Sequence, residues 1–314
     1  KKVVIVGGGF GGCAAAKILA RHGFDVTLFD KRNHHVFQPL LYQVATAMLS
    51  PSQIAFPIRA MFRQHKNVRV LIGNVCQINK DKKFVQLKRS SQEFDYDYLI
   101  IAAGARHAYF GNPKWEEHAW GLKTTKDALK IRERMFYSFE KAERTRFEAK
   151  RKRYSTFVVV GAGPTGVEMA GSIAELTQKS IANDFTKFNP KTSRVILVEG
   201  SDRVLNRYPK VLSEKAKKDL ESMGVEVKLN GFVSNVTKDG VFIGDELIET
   251  ENIIWAAGNM ASPLIKSVTS HLTNMGEAKV NPDFSIKNEK SIFCIGDCAY
   301  LKDQNGIEVP AVAQ

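Results

Sequence analysis

One local pattern is written twice in this chain, and the repetition leaves few folds open. Lys2-Val3-Val4-Ile5-Val6 is a largely β-branched run of the kind that suits a parallel strand buried on both faces. It leads into Gly7-Gly8-Gly9-Phe10-Gly11-Gly12, with glycines at the first, third and sixth places of G-x-G-x-x-G, and then into the small residues Cys13-Ala14-Ala15-Ala16 of a helix. A second strand, Asp25-Val26-Thr27-Leu28-Phe29, ends at Asp30. The same order returns as Phe157-Val158-Val159-Val160, Gly161-Ala162-Gly163-Pro164-Thr165-Gly166, a helix from Val167, and Val195-Ile196-Leu197-Val198 ending at Glu199. Each copy closes with a further strand and turn, Leu99-Ile100-Ile101-Ala102-Ala103-Gly104 and Ile253-Ile254-Trp255-Ala256-Ala257-Gly258. Gly7 to Gly161 and Gly104 to Gly258 are both separated by 154 positions. Asp30 and Glu199 are 169 apart, so the second copy has the longer passage from helix to strand, assigned to residues 183–190. A chain of 314 residues has room for two domains. The pattern specifies an α/β fold with two parallel sheets.

Glycines at this spacing let the backbone approach a pyrophosphate. The helix-terminal N–H groups meet its charge, and the acid ending the second strand accepts from ribose hydroxyls. A single copy would also fit a buried strand–helix–strand unit without ligand, but two copies in the required order favour two dinucleotide sites. The first comprises Gly7, Gly9, Phe10, Gly11, Gly12, Asp30, Lys31 and Arg32 with the turn Ala103-Gly104. The second comprises Gly161, Gly163, Pro164, Thr165, Gly166 and Glu199 with Ala257-Gly258. Ser291-Ile292-Phe293-Cys294-Ile295 runs into Gly296-Asp297 and reads as a returning strand of the first copy, where a carboxylate can hold the ribitol hydroxyls of a flavin. In the second site the Glu199 carboxylate is expected to accept from a 2′-hydroxyl and repel a 2′-phosphate, with Arg203 as the competing residue. If the cofactor there is a nicotinamide dinucleotide, that means NADH over NADPH.

This order of elements resembles the flavoproteins built from two Rossmann-like dinucleotide-binding domains, which take FAD in the first site and NAD(P)H in the second. A narrower resemblance is carried by His35-Val36-Phe37-Gln38-Pro39-Leu40-Leu41-Tyr42-Gln43-Val44-Ala45 with Pro57-Ile58-Arg59, by Gly166-Val167-Glu168-Met169-Ala170-Gly171 and by Ala313-Gln314. These stretches are similar to type II NADH dehydrogenases, the single-subunit, non-proton-pumping NADH:quinone oxidoreductases of respiratory electron transport. The resemblance implies a FAD domain over residues 1–118 and 285–314 and an inserted NAD(H) domain over 119–284, with a basic helix and linker near 126–153. It implies that Gln43 and Ala313 join the FAD site, that Glu168 lies near the nicotinamide, and that Gln314 lies near the flavin and the quinone headgroup. Glu168 and Gln314 are then the catalytic candidates, quinone is the acceptor, and a homodimer is left open. The resembled proteins sit on a membrane surface, on the cytoplasmic side of a bacterial inner membrane or its organellar equivalent. Two departures stand out. Ala102-Ala103-Gly104 replaces a frequent A-T-G, and the family's A-Q segment opens a region that anchors the protein and completes the quinone site. A piece ending at Gln314 is therefore expected to be soluble without detergent.

Composition narrows the alternatives. The net charge of +13 is compatible with nucleic acid or anionic lipid, but no helix-turn-helix, RNP-like or zinc-finger pattern accompanies it, so no nucleic-acid partner is expected. Residues 141–153 hold seven basic and two acidic residues and read as a solvated helix and linker, with lipid headgroups as the other reading. Phe136, Phe139 and Phe147 give that segment one candidate apolar face. No metal is expected, because His34-His35 has no ligand at suitable spacing. Four cysteines make no disulfide framework. Cys294 and Cys298 read as buried apolar residues. Cys13 has no partner at the spacing of a disulfide reductase, and Cys13 with Cys76 does not suit a sulfide:quinone oxidoreductase. An NAD(P)H-dependent reductase of a protein such as ferredoxin, or a non-enzymatic redox-sensing flavoprotein, remains the alternative to a quinone reductase.

Overall fold

The computed structural model describes residues 1–309. It divides into two compact units, one formed by Lys1–Val36, Ala55–Arg106 and the chain from Asn259 onward, the other by Phe37–Ile54 and His107–Gly258.

In the first unit, six strands form one sheet in the order Ser285–Ile286, Glu289–Cys294, Tyr98–Ile101, Lys2–Val6, Asp25–Asp30, Val68–Ile72. All neighbours are parallel except the first pair. The β-branched first strand lies in the middle, where both of its faces are covered: Val3, Val4 and Ile5 are at most 2% exposed. The strand Glu289–Cys294 does return to the first copy, pairing Ile292 with Leu99 and Cys294 with Ile101. In the second unit the order is Ala119–Gly121, Asn252–Trp255, Thr156–Val160, Arg194–Val198, Val225–Lys228, all parallel. Closing strand, first strand, second strand and outer strand thus stand in the same order in both units. Each unit also carries a three-stranded antiparallel sheet, Val75–Asn79 with Phe84–Leu87 and Glu93–Asp95, and Val233–Thr237 with Gly240–Ile243 and Glu246–Glu249.

Helix Phe10–Arg21 packs on the first sheet and helix Pro164–Glu175 on the second. In each, the third fingerprint glycine faces the carbonyl of the first. A Cβ at Gly12 would lie 1.8 Å from the Gly7 oxygen, and one at Gly166 would lie 1.8 Å from the Gly161 oxygen. Any side chain there would push helix and strand apart.

The unit boundaries differ from those expected as 1–118 with 285–314 and 119–284. Residues 259–284 belong with the first unit because Ala261, Leu264, Ile265, Val268 and Ala278 enter its core beside Leu99, Ile101 and Ile292. Residues 37–54 and 107–118 belong with the second. The helix Leu41–Ala45 packs against helices Thr125–Arg144 and Pro164–Glu175, and Thr46 Oγ1 lies 2.7 Å from Ser172 Oγ. Tyr109 and Trp115 join the core around Trp255. The segment expected as a basic helix and linker near 126–153 is two helices, Thr125–Arg144 and Glu148–Tyr154. The first begins at a capping box between Thr124 and Asp127 and buries Ala128, Ile131, Met135, Phe139 and Ala142. The three phenylalanines do not form one face: Phe139 is fully buried among Phe157, Phe185 and Phe188, whereas Phe147 is 54% exposed.

The glycine contact gives a direct test. Gly12→Ala and Gly166→Ala are each expected to lower unfolding free energy by about 3 kcal/mol or more, as overpacking against rigid backbone does, read as a reduced denaturant midpoint.

Candidate functional site

Both fingerprint turns are built by the same hydrogen bonds. Gly7 N donates to Phe29 O at 2.7 Å, and Gly161 N to Val198 O at 2.7 Å. Ala102 N donates to Val6 O and Ala256 N to Val160 O, each at 2.8 Å. The first glycines have φ of +112° and +96°, a region closed to most side chains. The second residue of each turn is then clamped at both ends. Its N–H is taken by the acid: Gly8 N donates to Asp30 Oδ2 at 2.7 Å, and Ala162 N to Glu199 Oε2 at 2.6 Å. The acid's other oxygen accepts from the amide two residues on, Arg32 N at 2.8 Å and Ser201 N at 2.9 Å. Asp30 and Glu199 therefore occupy equivalent places although their sequence offset breaks the 154-residue register. The carbonyl of the same residue is held from behind, in the first copy by His35 Nδ1 at 2.9 Å and in the second by the Leu205 N–H at 2.8 Å.

Because a carbonyl can only accept, His35 carries its proton on Nδ1. The imidazole is buried, at 8% exposure, and meets Phe10 edge to face at 5.0 Å. The structure puts His34 and His35 in the strand His34–Val36, and nothing in the linear sequence marks the reach from His35 to Gly8. Cys13 Sγ also donates to Gly8 O, and burial together with the Asp30 charge pushes its thiol up to about 12.

What the turns leave open is their outer side. Among the described residues, a Cβ at Gly9 or at Gly163 would meet nothing within 4 Å. The helices start there without a side-chain cap or an acid in the first turn, at the end where a helix carries its partial positive charge. Such an opening suits a phosphate and the backbone suits its close approach. Pro164 sits at the start of the second helix, where a missing N–H costs nothing.

The remaining expected residues fall along the same edges. Ala103-Gly104 follows the strand Tyr98–Ile101, and Gly296-Asp297 follows Glu289–Cys294, with Ile295 N donating to Ile101 O at 3.0 Å. Gly7 to Gly12, Asp30, Lys31, Arg32, Ala103, Gly104, Gly296 and Asp297 thus gather at the C-terminal edge of four adjacent parallel strands. Gly161 to Gly166, Glu199, Ala257 and Gly258 gather at the corresponding edge of the second sheet. Glu168 lies in the first turns of helix Pro164–Glu175. Its residue surface is exposed, yet desolvation by the surrounding protein holds its carboxyl above the ordinary carboxylate range. Arg203, the competing residue for a 2′-phosphate, turns its guanidinium to Asn206 O at 2.6 Å and Tyr208 O at 3.1 Å. Gln43 lies in the unit of the second fingerprint. Ala313 and Gln314 lie outside the described residues. Among the described residues no group of three metal-ligating side chains occurs, and no helix is long and apolar enough to cross a membrane.

Two sheets, each with a glycine turn and an acid at its C-terminal edge, are the framework of a nucleotide-binding protein. The profile of the pyridine nucleotide-disulphide oxidoreductases matches residues 1–314, and the chain belongs to that family. It is 43% identical over 325 residues to the type II NADH:quinone oxidoreductase NdhA of Mycobacterium tuberculosis, covering 100% of this chain and 68% of the relative. It is 40% identical over 324 residues to Ndh of the same organism, covering 100% of this chain and 69% of that relative. Within the wider family it belongs with the type II NADH:quinone oxidoreductases. The solved structure of NDH2 from Plasmodium falciparum in complex with NADH superposes with a TM-score of 0.86 at 25% identity, over 96% of this chain and 65% of that one. The chain therefore spans about two thirds of the length of these relatives.

The open and closed glycines predict opposite outcomes. Gly9→Ala and Gly163→Ala are expected to leave unfolding free energy within about 1 kcal/mol of wild type while weakening nucleotide binding, measured by equilibrium titration. Glu199→Ala removes the acceptor of two amides as well as the charge. It is expected to narrow the preference for NADH over NADPH and to lower thermal stability, checked by kcat/KM for both cofactors and by melting temperature.

Proposed function

We propose that this chain is the nucleotide-binding part of a FAD-dependent NADH:quinone oxidoreductase, passing hydride from NADH to FAD and then two electrons to a quinone. The observation that carries the reading is the pair of clamped fingerprint turns, each opening outward at the C-terminal edge of its own sheet. When bound, FAD supplies a two-electron carrier that accepts hydride and donates to the quinone. The residues fit it: among the described residues nothing lies within 4 Å of where a Cβ at Gly9 would stand, Asp30 offers the acceptor sites its amide bonds leave unused, and Asp297 follows the neighbouring strand. These residues, with Lys31, Arg32, Ala103, Gly104 and Gly296, would hold the flavin nucleotide, with Gln43 and Ala313 assigned by resemblance.

Gly163, Pro164, Thr165 and Gly166 would hold the NADH pyrophosphate, Glu199 its adenosine ribose, and Ala257 and Gly258 would border the nicotinamide end. The protein's part in the reaction is distance and orientation, and no protein nucleophile is required. Glu168 stands two residues past Gly166 with a carboxyl that keeps its proton to higher pH than an ordinary glutamate. It can bind a carboxamide or deliver a proton. Gln314 is assigned to the quinone headgroup by resemblance. The acceptor is a membrane quinone, and the protein works on a membrane surface, the cytoplasmic face of a bacterial inner membrane or its organellar equivalent.

A stopped-flow experiment tests the reading. NADH is expected to bleach the flavin absorbance, and a short, water-soluble quinone to restore it. Restoration only by an iron–sulfur protein would move the chain to the protein-acceptor reductases. Glu168→Gln is expected to retain FAD and to slow the NADH half-reaction or its coupling to quinone. In the wild type, the pH profile of that half-reaction should show a group titrating above the usual carboxylate range, and the variant should lack it. Identical bleaching rates and identical profiles would make Glu168 structural.

A further inference from the structure

Two thiols meet beneath the Gly296-Asp297 turn, and the reaction proposed above uses neither. Cys294 ends the strand Glu289–Cys294, and Cys298 ends the short turn that follows. Both are 0% exposed, and their sulfurs lie 3.5 Å apart. The positive φ of Gly296, +73°, belongs to the turn that folds the chain back between them. Cys294 Sγ donates towards Cys298 Sγ and lies 3.2 Å from Cys298 O, while Cys298 Sγ lies 3.2 Å from Ile295 O and 3.5 Å from Ile101 O. The Cys294 S–H, with the backbone N–H groups of Gly104 and Ala103, favours the thiolate of Cys298 and lowers its pKa against the burial that opposes it. The same contact, with burial, holds the Cys294 thiol well above its usual value.

We propose that Cys294 and Cys298 form a two-thiol oxidation site, which hydrogen peroxide converts to an intramolecular disulfide that loosens the hold of the Gly296-Asp297 turn on FAD. The second half rests on the placement of FAD at this sheet edge. The Cys298 thiolate attacks one peroxide oxygen, the O–O bond breaks, and the departing hydroxide takes up the thiol proton to leave as water. Cys294 sulfur then attacks the resulting sulfenic acid, its S–OH bond breaks, and the hydroxyl leaves as a second water with the Cys294 proton. Two thiols lose two electrons, and one peroxide is reduced to two waters.

The bond requires the sulfurs to close from 3.5 Å to about 2.05 Å. That movement draws the strand end and the turn together across Gly296-Asp297. It also changes the sulfur that faces the amides of Ala103 and Gly104. Because the pair is shielded, oxidation proceeds through local opening of the turn and lags behind that of the exposed Cys76. Cys13, buried and held protonated by a pKa of about 12, stays out of the reaction.

The test treats the flavin-loaded protein with excess hydrogen peroxide, alkylates the remaining thiols, and maps peptides by mass spectrometry while flavin release is followed by fluorescence. The expected result is a Cys294–Cys298 cross-link two hydrogens lighter than the dithiol, reversed by dithiothreitol, with flavin release accelerated several-fold in step with its formation. Cys294→Ala and, separately, Cys298→Ala should each remove the cross-link and the release that accompanies it. Cys294 and Cys298 that remain alkylatable after unfolding, when peroxide treatment has been continued well past complete oxidation of Cys76 until no further thiol is lost, would overturn the proposal. A complete cross-link with unchanged flavin release would overturn the coupling to FAD. Protein that takes up no FAD would instead count against the functional reading, while the mass measurement still decides whether the thiols cross-link.

Discussion

Each half of this molecule depends on a helix touching a strand with no side chain between them. The α-carbon of Gly12 rests on the carbonyl of Gly7, and that of Gly166 on the carbonyl of Gly161, so closely that a methyl group would overlap the oxygen. This contact sets where the helix begins. With the helix drawn onto the sheet, its first N–H groups stand just beyond the C-terminal edge, the place where an anion gains most from them. Had the third glycine been alanine, the helix would ride higher and the turn would no longer bring Gly9 or Gly163 to the open side. The strand pairing, the turn and the phosphate-facing opening are consequences of one packing distance.

Local signals carried most of the fold. A β-branched run, glycines at fixed spacing and small helical residues are effects of neighbouring residues on one another, so the two fingerprints, their strands and the return of Glu289–Cys294 were legible. The unit boundaries were not, because they depend on partners far along the chain. Residues 37–54 join the second unit through the packing of Leu41–Ala45 and the hydroxyl contact between Thr46 and Ser172, separated by 126 positions. Residues 259–284 join the first through Leu264, Ile265 and Val268, apolar residues whose sequence does not say which core they enter. The phenylalanines near residue 140 misled for a related reason. Helical spacing puts them on a common side only if one helix runs through, and the chain breaks at Thr145 before Phe147.

The candidate sites divide along the same line. Glycine positions and terminal acids could be read, but not what holds them. Cys294 and Cys298 read as buried apolar residues, because the linear pattern does not show that the reversal at Gly296 brings their sulfurs together. Glu168 shows the converse. Its position was visible from the helix, while the desolvation that raises its pKa comes from surroundings that no motif describes.

The clamp on the second residue of each turn shows which features the fold duplicates and which it replaces. An acid takes the N–H of Gly8 and of Ala162, and a donor takes the carbonyl of the same residue. With both ends held, that residue cannot turn. The carbonyl donor is a buried imidazole in one copy and a backbone N–H in the other. The chain conserves the constraint although the two groups share no chemistry and fall outside the 154-residue register. Asp30 and Glu199 consequently have two tasks in one carboxylate. Part of their acceptor capacity fixes the turn, and the remainder, with the full negative charge, meets whatever lies at the end of the second strand. A group that must orient the backbone cannot be exchanged for a neutral one without moving the turn. On the function proposed above, nucleotide recognition and fold stability are tied at these two residues, while at Gly9 and Gly163, where among the described residues nothing lies within 4 Å of a Cβ, they are separate.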